Sequence, residues 1–171
     1  MELRLAASDD LSKVQDMYRN IIRNMNKNNI SIWDEVYPCE FFENDIEQNR
    51  LYVLEEHDEI LSAFALCDPN PGAGDVMWKN NDSKALYMER LGVHVDYLGK
   101  GIGSIMLHKA IELATQKGID YVRLFVADIN EPAIHLYIKN KFEKADGIYE
   151  ERIYENFILH ELGFEIKISR E

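Results

Sequence analysis

Tyr97-Leu98-Gly99-Lys100-Gly101-Ile102-Gly103-Ser104 is the stretch on which the reading of this 171-residue chain turns. Residues 85–95 before it read as a strand. After it, Ile102, Ile105, Met106, Ala110 and Leu113 form an apolar stripe at helical spacing, and Ser104, His108, Glu112 and Gln116 recur every four residues on another face. Gly118 is placed to end that helix. Strand, glycine-rich turn and amphipathic helix together make a local recipe for holding phosphate. Backbone N–H groups at the helix start have no partner within the helix, the helix dipole favours an anion there, and glycines admit close approach. The pattern is G-x-G-x-G. It is not the dinucleotide fingerprint, whose third glycine would fall on Ser104, and Gly99-Lys100 lacks the spaced upstream glycine of a Walker loop. The alternative reading is a tight turn whose glycines serve only helix–strand packing.

The charge distribution supports an anion at this place. The whole chain carries −12, but unevenly: residues 1–95 carry −9, residues 96–141 carry +1, and residues 142–171 carry −4. One middle segment is spared the acidity of its flanks. So acidic a chain is not expected to bind nucleic acid. With 46% hydrophobic residues and 18 aromatic side chains it can bury a core, which argues against disorder, and its length suits one domain over 1–171. Cys39 and Cys67 cannot build a disulfide framework, and no metal-ligand spacing is visible. Neither a secretory signal nor a bilayer-length apolar run is seen, so a cytoplasmic protein without membrane attachment is expected.

Outward from the turn, the other elements follow from periodicity. Residues 2–6 alternate as a short strand. Ser8-Asp9-Asp10 offers a helix N-cap ahead of Leu11, Val14, Met17, Tyr18, Ile21, Ile22 and Met25. A second helix is expected over about 39–48, and strands over 51–54 and 60–66. Residues 68–83, with Pro69, Pro71, Gly72 and Gly74, read as a long functional or mobile loop and a candidate lid. Residues 121–126 form a strand, Asn130-Glu131-Pro132 opens another helix, and final strands fall around 145–151 and 157–167. The order β-α-α-β-β-β-α-β-α-β-β gives an α/β fold with a mixed sheet.

Asn130-x-x-Ala133-x-x-Leu136-Tyr137-x-x-x-x-Phe142, together with the glycine turn and a strand ending Arg90-Leu91-Gly92-Val93-His94, resembles the GNAT superfamily of acyl-CoA-dependent N-acyltransferases. The likeness covers about 86–142, the expected cofactor module, and the order of elements agrees with that fold. It departs at two places. Leu98 stands where the family has Gln or Arg, and Lys141 stands where a glycine is usual.

The resemblance implies a GNAT-like sheet with splayed central strands and acetyl-CoA as co-substrate, with no metal. Leu91, Gly92 and Val93 would pair with the pantetheine arm like an added strand. Gly99, Lys100, Gly101, Ile102, Gly103 and Ser104 would hold the pyrophosphate, and Asn130 would contact the cofactor arm. Tyr137 would protonate the departing thiolate, a task that suits a weakly acidic hydroxyl. The base is Glu89, on the same strand and, by alternation, on the face of Tyr87 and Leu91. His94 or a water chain are the alternatives. Trp33, Asp34, Glu35 and Tyr37 form an aromatic and acidic cluster suited to a cationic amine, with Tyr154 a lesser candidate; a loop capped by core aromatics is the other reading. The expected reaction is acetyl transfer from acetyl-CoA to a primary amine, either a small cationic molecule or a peptide amine. A homodimer is compatible with the chain. The competing reading is a non-catalytic acyl-CoA-binding module, which would bind CoA without turnover.

Overall fold

The computed structural model describes every residue except Glu35 and Glu171. In chain order the elements are β1 (Glu2–Leu5), α1 (Leu11–Lys27), α2 (Phe42–Glu47), β2 (Leu51–Glu56), β3 (Glu59–Cys67), β4 (Val76–Met77) and β5 (Ala85–Val93). Then come α3 (Ile102–Gln116), β6 (Tyr121–Ala127), α4 (Glu131–Lys139), β7 (Glu143–Lys144), β8 (Asp146–Gly147), β9 (Tyr149–Tyr154) and β10 (Phe157–Lys167). Short 3-10 turns lie at Ser8–Asp10, Cys39–Phe41 and Val95–Tyr97. The chain divides into two compact units. One comprises Met1–Leu66 and Arg90–Met106; the other comprises Cys67–Glu89 and Leu107–Glu171. The chain passes from one to the other at the end of β3, within β5 and within α3.

In the first unit the strand order is β1-β2-β3-β5, with β1 antiparallel to β2 and β2 antiparallel to β3. The helical period read from the sequence is realised in α1, where Val14, Met17, Tyr18, Ile21 and Ile22 are buried. Phe42, Leu51, Val53, Leu54, Leu61, Ala63 and Phe64 complete that core. Asp10, the last residue of the expected Ser8-Asp9-Asp10 cap, is the N-cap of α1, though its side chain makes no capping bond to that helix. It accepts the Ala7 N–H at 2.7 Å, closing the 3-10 turn ahead of α1, and pairs with Arg4.

In the second unit β5, β6, β10 and β7 follow one another, and β9 pairs with the other stretch of β10. The β5–β6 ladder is parallel and joins Ala85, Leu86 and Tyr87 to Tyr121, Val122 and Arg123, a short ladder such as splayed central strands predict. β10 runs antiparallel to β6 over seven pairs. The buried stripe of α3 is Ile102, Met106, Leu107, Ala110 and Ala114, so Ile105 and Leu113 sit at its margins and not at its centre.

Residues 68–83 are not a free loop. β4 pairs with β8, and Val76, Trp78, Tyr87 and Ala145 form a buried cluster against Ala73, Ala85 and Phe125. Trp78 also covers Gly163, where a side chain would collide with its ring. The buried pair Arg123–Glu165 ties the segment down, since Glu165 accepts the Lys79 N–H and Arg123 donates to the Asn80 carbonyl. The polar composition that suggested mobility is offset by two apolar anchors and this ion pair. No helix among the described residues is long and apolar enough to cross a membrane.

Candidate functional site

The glycine turn leads into the start of α3. Gly99 and Gly101 have φ of +74° and +81°, in the left-handed region, and a Cβ on either would meet open space within 4 Å. The glycines are therefore required by backbone conformation and leave the surface of the turn uncovered. Gly101 O accepts the Ile105 N–H at 3.1 Å, which is the first bond of the helix. The N–H groups of Ile102, Gly103 and Ser104 precede it at the helix start. Lys100 lies over the Tyr97 ring at 5.0 Å, and Tyr97 donates to Glu59 at 2.6 Å, so a cation sits beside the turn.

The end of β5 is the second part. Arg90 has φ +58°, an unusual value for a non-glycine residue inside a strand, and it breaks the two-residue alternation. The expected common face of Glu89 and Leu91 therefore does not follow. Past this point the backbone of alternate residues is tied to neighbouring groups: the Tyr18 hydroxyl donates to the Arg90 carbonyl, Ser62 Oγ donates to Gly92 O at 2.6 Å, and the His94 N–H donates to Leu61 O at 2.8 Å. Leu91 and Val93, which alternate with these three, direct their N–H and C=O groups to the opposite edge of the strand. A Cβ on Gly92 would lie 2.7 Å from Tyr18, so only glycine fits beneath this edge. His94 Nδ1 accepts the Asp96 N–H at 3.1 Å and serves as a turn cap.

In the first unit Trp33 packs on Tyr18 at 5.6 Å and Tyr37 packs edge-on against Phe41. The carboxylate of Asp34 accepts the N–H groups of Val36 and Tyr37, each at 2.8 Å, so it organises its own loop. Glu35 lies outside the described residues.

The second unit carries Tyr137, Asn130 and Glu89. Tyr137 is 6% exposed and packs against Phe142 and Phe164. Burial holds its hydroxyl well above the ordinary phenol range, so it stays a proton donor at neutral pH. Asn130 Oδ1 caps α4 by accepting the Ala133 N–H at 3.4 Å; its carbonyl oxygen serves the helix, and contact with a cofactor is left to its Nδ2. Lys141 has φ +70°, which explains why a glycine is usual at that place.

The guanidinium of Arg90, the neighbour of Glu89, donates to Asp45. Asn70 Nδ2 donates to Glu89 Oε1 at 2.7 Å. Two further carboxylates act on this place. Glu161 is pushed up to about 10, first by burial, then by a hydrogen bond with Glu151 and by the charges of Glu151 and Glu89. Tyr149 is pushed up to about 12, first by burial and then by Glu151, Glu161, Asp75 and Glu89. Phe125 packs edge-on against Tyr149 at 5.3 Å. Sequence reading missed Asn70, Tyr149, Glu151 and Glu161. The one signal was Glu161 falling on the face shared with Leu159 and Gly163 in an alternating strand. Tyr154 stacks on Phe157 at the hairpin end, 43% exposed.

Residues 16–142 match the Acetyltransferase (GNAT) family. Streptothricin acetyltransferase A of Bacillus subtilis is 33% identical over 113 residues, 66% of this chain, and the match spans 62% of that protein's length. Thialysine N-epsilon-acetyltransferase of Bos taurus is 40% identical over 60 residues, 35% of this chain and 34% of that one. An acetyltransferase structure from Salmonella typhimurium, with its cofactor acetyl-CoA, has a TM-score of 0.68 at 16% identity, covering all of this chain and 95% of the other, a likeness of fold alone. The family match spans the bulged strand, the glycine turn and the helix of Tyr137 in their expected order, and the chain belongs to the Acetyltransferase (GNAT) family.

Proposed function

We propose that this chain is an acetyl-CoA-dependent N-acetyltransferase acting on a cationic amine. The observation that carries the reading is the glycine turn: two left-handed glycines over open space, three helix-start N–H groups and Lys100 beside them. This cradle suits a pyrophosphate. Leu91 and Val93 add strand-edge groups of the kind that the amides of a pantetheine arm can pair with, while Gly92 keeps the strand close to Tyr18.

The co-substrate supplies an activated acetyl thioester. In the transfer the amine nitrogen bonds to the acetyl carbon and the carbon–sulfur bond breaks. An ammonium nitrogen loses one proton before it attacks and a second as the amide forms; the sulfur gains one proton and the other leaves to solvent. Tyr137 is the donor to sulfur by its place in the family pattern. Glu89, fixed by Asn70, is the group that receives a proton from the amine.

The carboxylates of Glu89 and Glu151, with the neutral carboxyl of Glu161 and the rings of Tyr149 and Phe125, support a cationic acceptor, as does the net charge of −12. Trp33 and Tyr37 remain candidate acceptor walls, with Glu35 beside them in sequence. Two similar proteins carry acceptors in their names, streptothricin and thialysine, the second with an ε nitrogen as the acetylated atom. The test is thiol release from acetyl-CoA over a panel of lysine analogues, polyamines, aminoglycosides and short peptides, at low and high salt. Turnover with cationic amines, weakened by salt, is expected. Tight CoA binding with no turnover on any amine overturns the catalytic reading in favour of a CoA-binding module, and a preference for anionic acceptors overturns the acceptor class.

A further inference from the structure

Arg90 is held from two sides by side chains of its own unit. Its backbone carbonyl accepts a hydrogen bond from the Tyr18 hydroxyl, which also lies 3.2 Å from the Ala63 carbonyl. Its guanidinium donates through Nε and Nη2 to both oxygens of Asp45, at 2.9 and 2.8 Å. Asp45 is fully buried and takes a further bond from Arg50 at 2.7 Å, while the Arg90 side chain is 8% exposed and lies over the Phe41 ring at 5.0 Å. A left-handed conformation at a β-strand arginine is unfavourable on its own. It persists where the surroundings over-determine it. Here the surroundings are the paired guanidinium on one side and the bonded carbonyl on the other. Removing either leaves the backbone free to return to regular strand geometry, which rotates Leu91 and Val93 away from their present directions.

We propose that Tyr18 and Asp45 are positioning residues for co-substrate binding: they hold the Arg90 bulge and so aim the Leu91 and Val93 backbone groups that pair with the pantetheine arm. This rests on the pantetheine reading of Leu91–Val93 given above. Tyr18 reaches further, because its ring carries Trp33 at 5.6 Å and Phe42 at 4.6 Å. Tyr37 reaches Arg90 in the same way, through Phe41. The loop of the acceptor candidates and the strand of the cofactor candidates thus share the same few side chains.

The test compares two ligands by calorimetry. CoA carries the pantetheine arm; 3′-phosphoadenosine 5′-diphosphate carries the nucleotide and pyrophosphate without it. The wild-type chain binds CoA at least about tenfold more tightly than the nucleotide fragment, as a paired arm requires. Tyr18→Phe removes one hydroxyl and keeps the ring, and Asp45→Asn keeps shape and removes charge. Each is expected to weaken CoA about 3- to 10-fold, the worth of one hydrogen bond, while leaving the fragment within about twofold. The KM for acetyl-CoA rises in parallel. A purely structural role predicts a lower melting temperature with both ligands affected alike, and that result overturns the proposal, as does unchanged CoA affinity in folded Tyr18→Phe. If Asp45→Asn fails to fold, Tyr18→Phe decides. A wild-type chain that does not favour CoA over the fragment removes the pantetheine reading itself, a failure seen before any variant is made.

Discussion

Asn70 reaches across from the 68–83 segment and donates from Nδ2 to Oε1 of Glu89 at 2.7 Å, while its own Oδ1 accepts the Gly72 N–H at 2.7 Å. The asparagine is thereby fixed at both ends, and the glutamate is held in one orientation. Asn70→Ala frees the carboxylate without removing it. The expected result is a fall in kcat of about tenfold with CoA affinity unchanged, against a loss of about 10²-fold or more for Glu89→Gln. Steady-state kinetics at saturating acetyl-CoA check both. Equal, full activity of the two variants would exclude Glu89 as the base.

Glu161 gives a pH signature of stability. Burial, then Glu151 and Glu89, raise its carboxyl to about 10 from the ordinary value of 4.5. Between those values the folded chain holds a proton that the unfolded chain has released. More protons are then bound to the folded state, so stability falls as pH rises through that window and carries no such penalty below it. The wild-type melting temperature is expected to decline from about pH 6 to about pH 9, with a flatter decline in Glu161→Gln. Parallel slopes for the two proteins would show that Glu161 ionises in the folded state as it does in the unfolded one.

The parts of this molecule that were legible in the sequence are those written in local periodicity. The Val14–Met17–Tyr18–Ile21–Ile22 stripe, the 157–167 strand, the glycine turn and the Asn130 opening of α4 each depend on residues within one or two turns of one another. What could not be read depends on register and on residues far apart. Glu161 meets Glu151 only because the β9–β10 ladder pairs Leu159 with Glu151 and Glu161 with Tyr149. Arg90 adopts its left-handed conformation because Tyr18 and Asp45, 72 and 45 positions away, hold it. Asp34 also organises its own turn, Oδ1 accepting the Val36 and Tyr37 N–H groups, a local role that its residue type alone did not announce. The 68–83 segment looked mobile because its polar residues outnumber the two, Val76 and Trp78, that pack it down.

Tyr137→Phe separates chemistry from packing. The ring sits between Phe142 and Phe164, so phenylalanine keeps its contacts and little volume is lost. The hydroxyl, held protonated by burial, is the only group removed. A fall in kcat of about 10²–10⁴-fold is expected, with CoA affinity and melting temperature little changed. Unchanged turnover under conditions where chemistry limits the rate would remove Tyr137 from the reaction.

Gly101 and Gly118 allow a matched comparison within one helix, since Gly101 precedes α3 with φ +81° and Gly118 follows it with φ +71°. A Cβ at either meets nothing within 4 Å, so substitution creates backbone strain and no collision. Gly101→Ala and Gly118→Ala should each cost about 1 kcal/mol of stability, a fall in melting temperature of about 2–4 °C. Ligand binding should divide them. The alanine methyl at 101 stands in the space that a pyrophosphate enters, and relief of the strain turns the helix-start N–H groups away. CoA affinity is expected to fall about tenfold or more in Gly101→Ala and to stay at the wild-type value in Gly118→Ala. Calorimetric titration of both proteins decides the matter. Equal CoA affinities would leave the turn as a packing device, with the pyrophosphate held elsewhere.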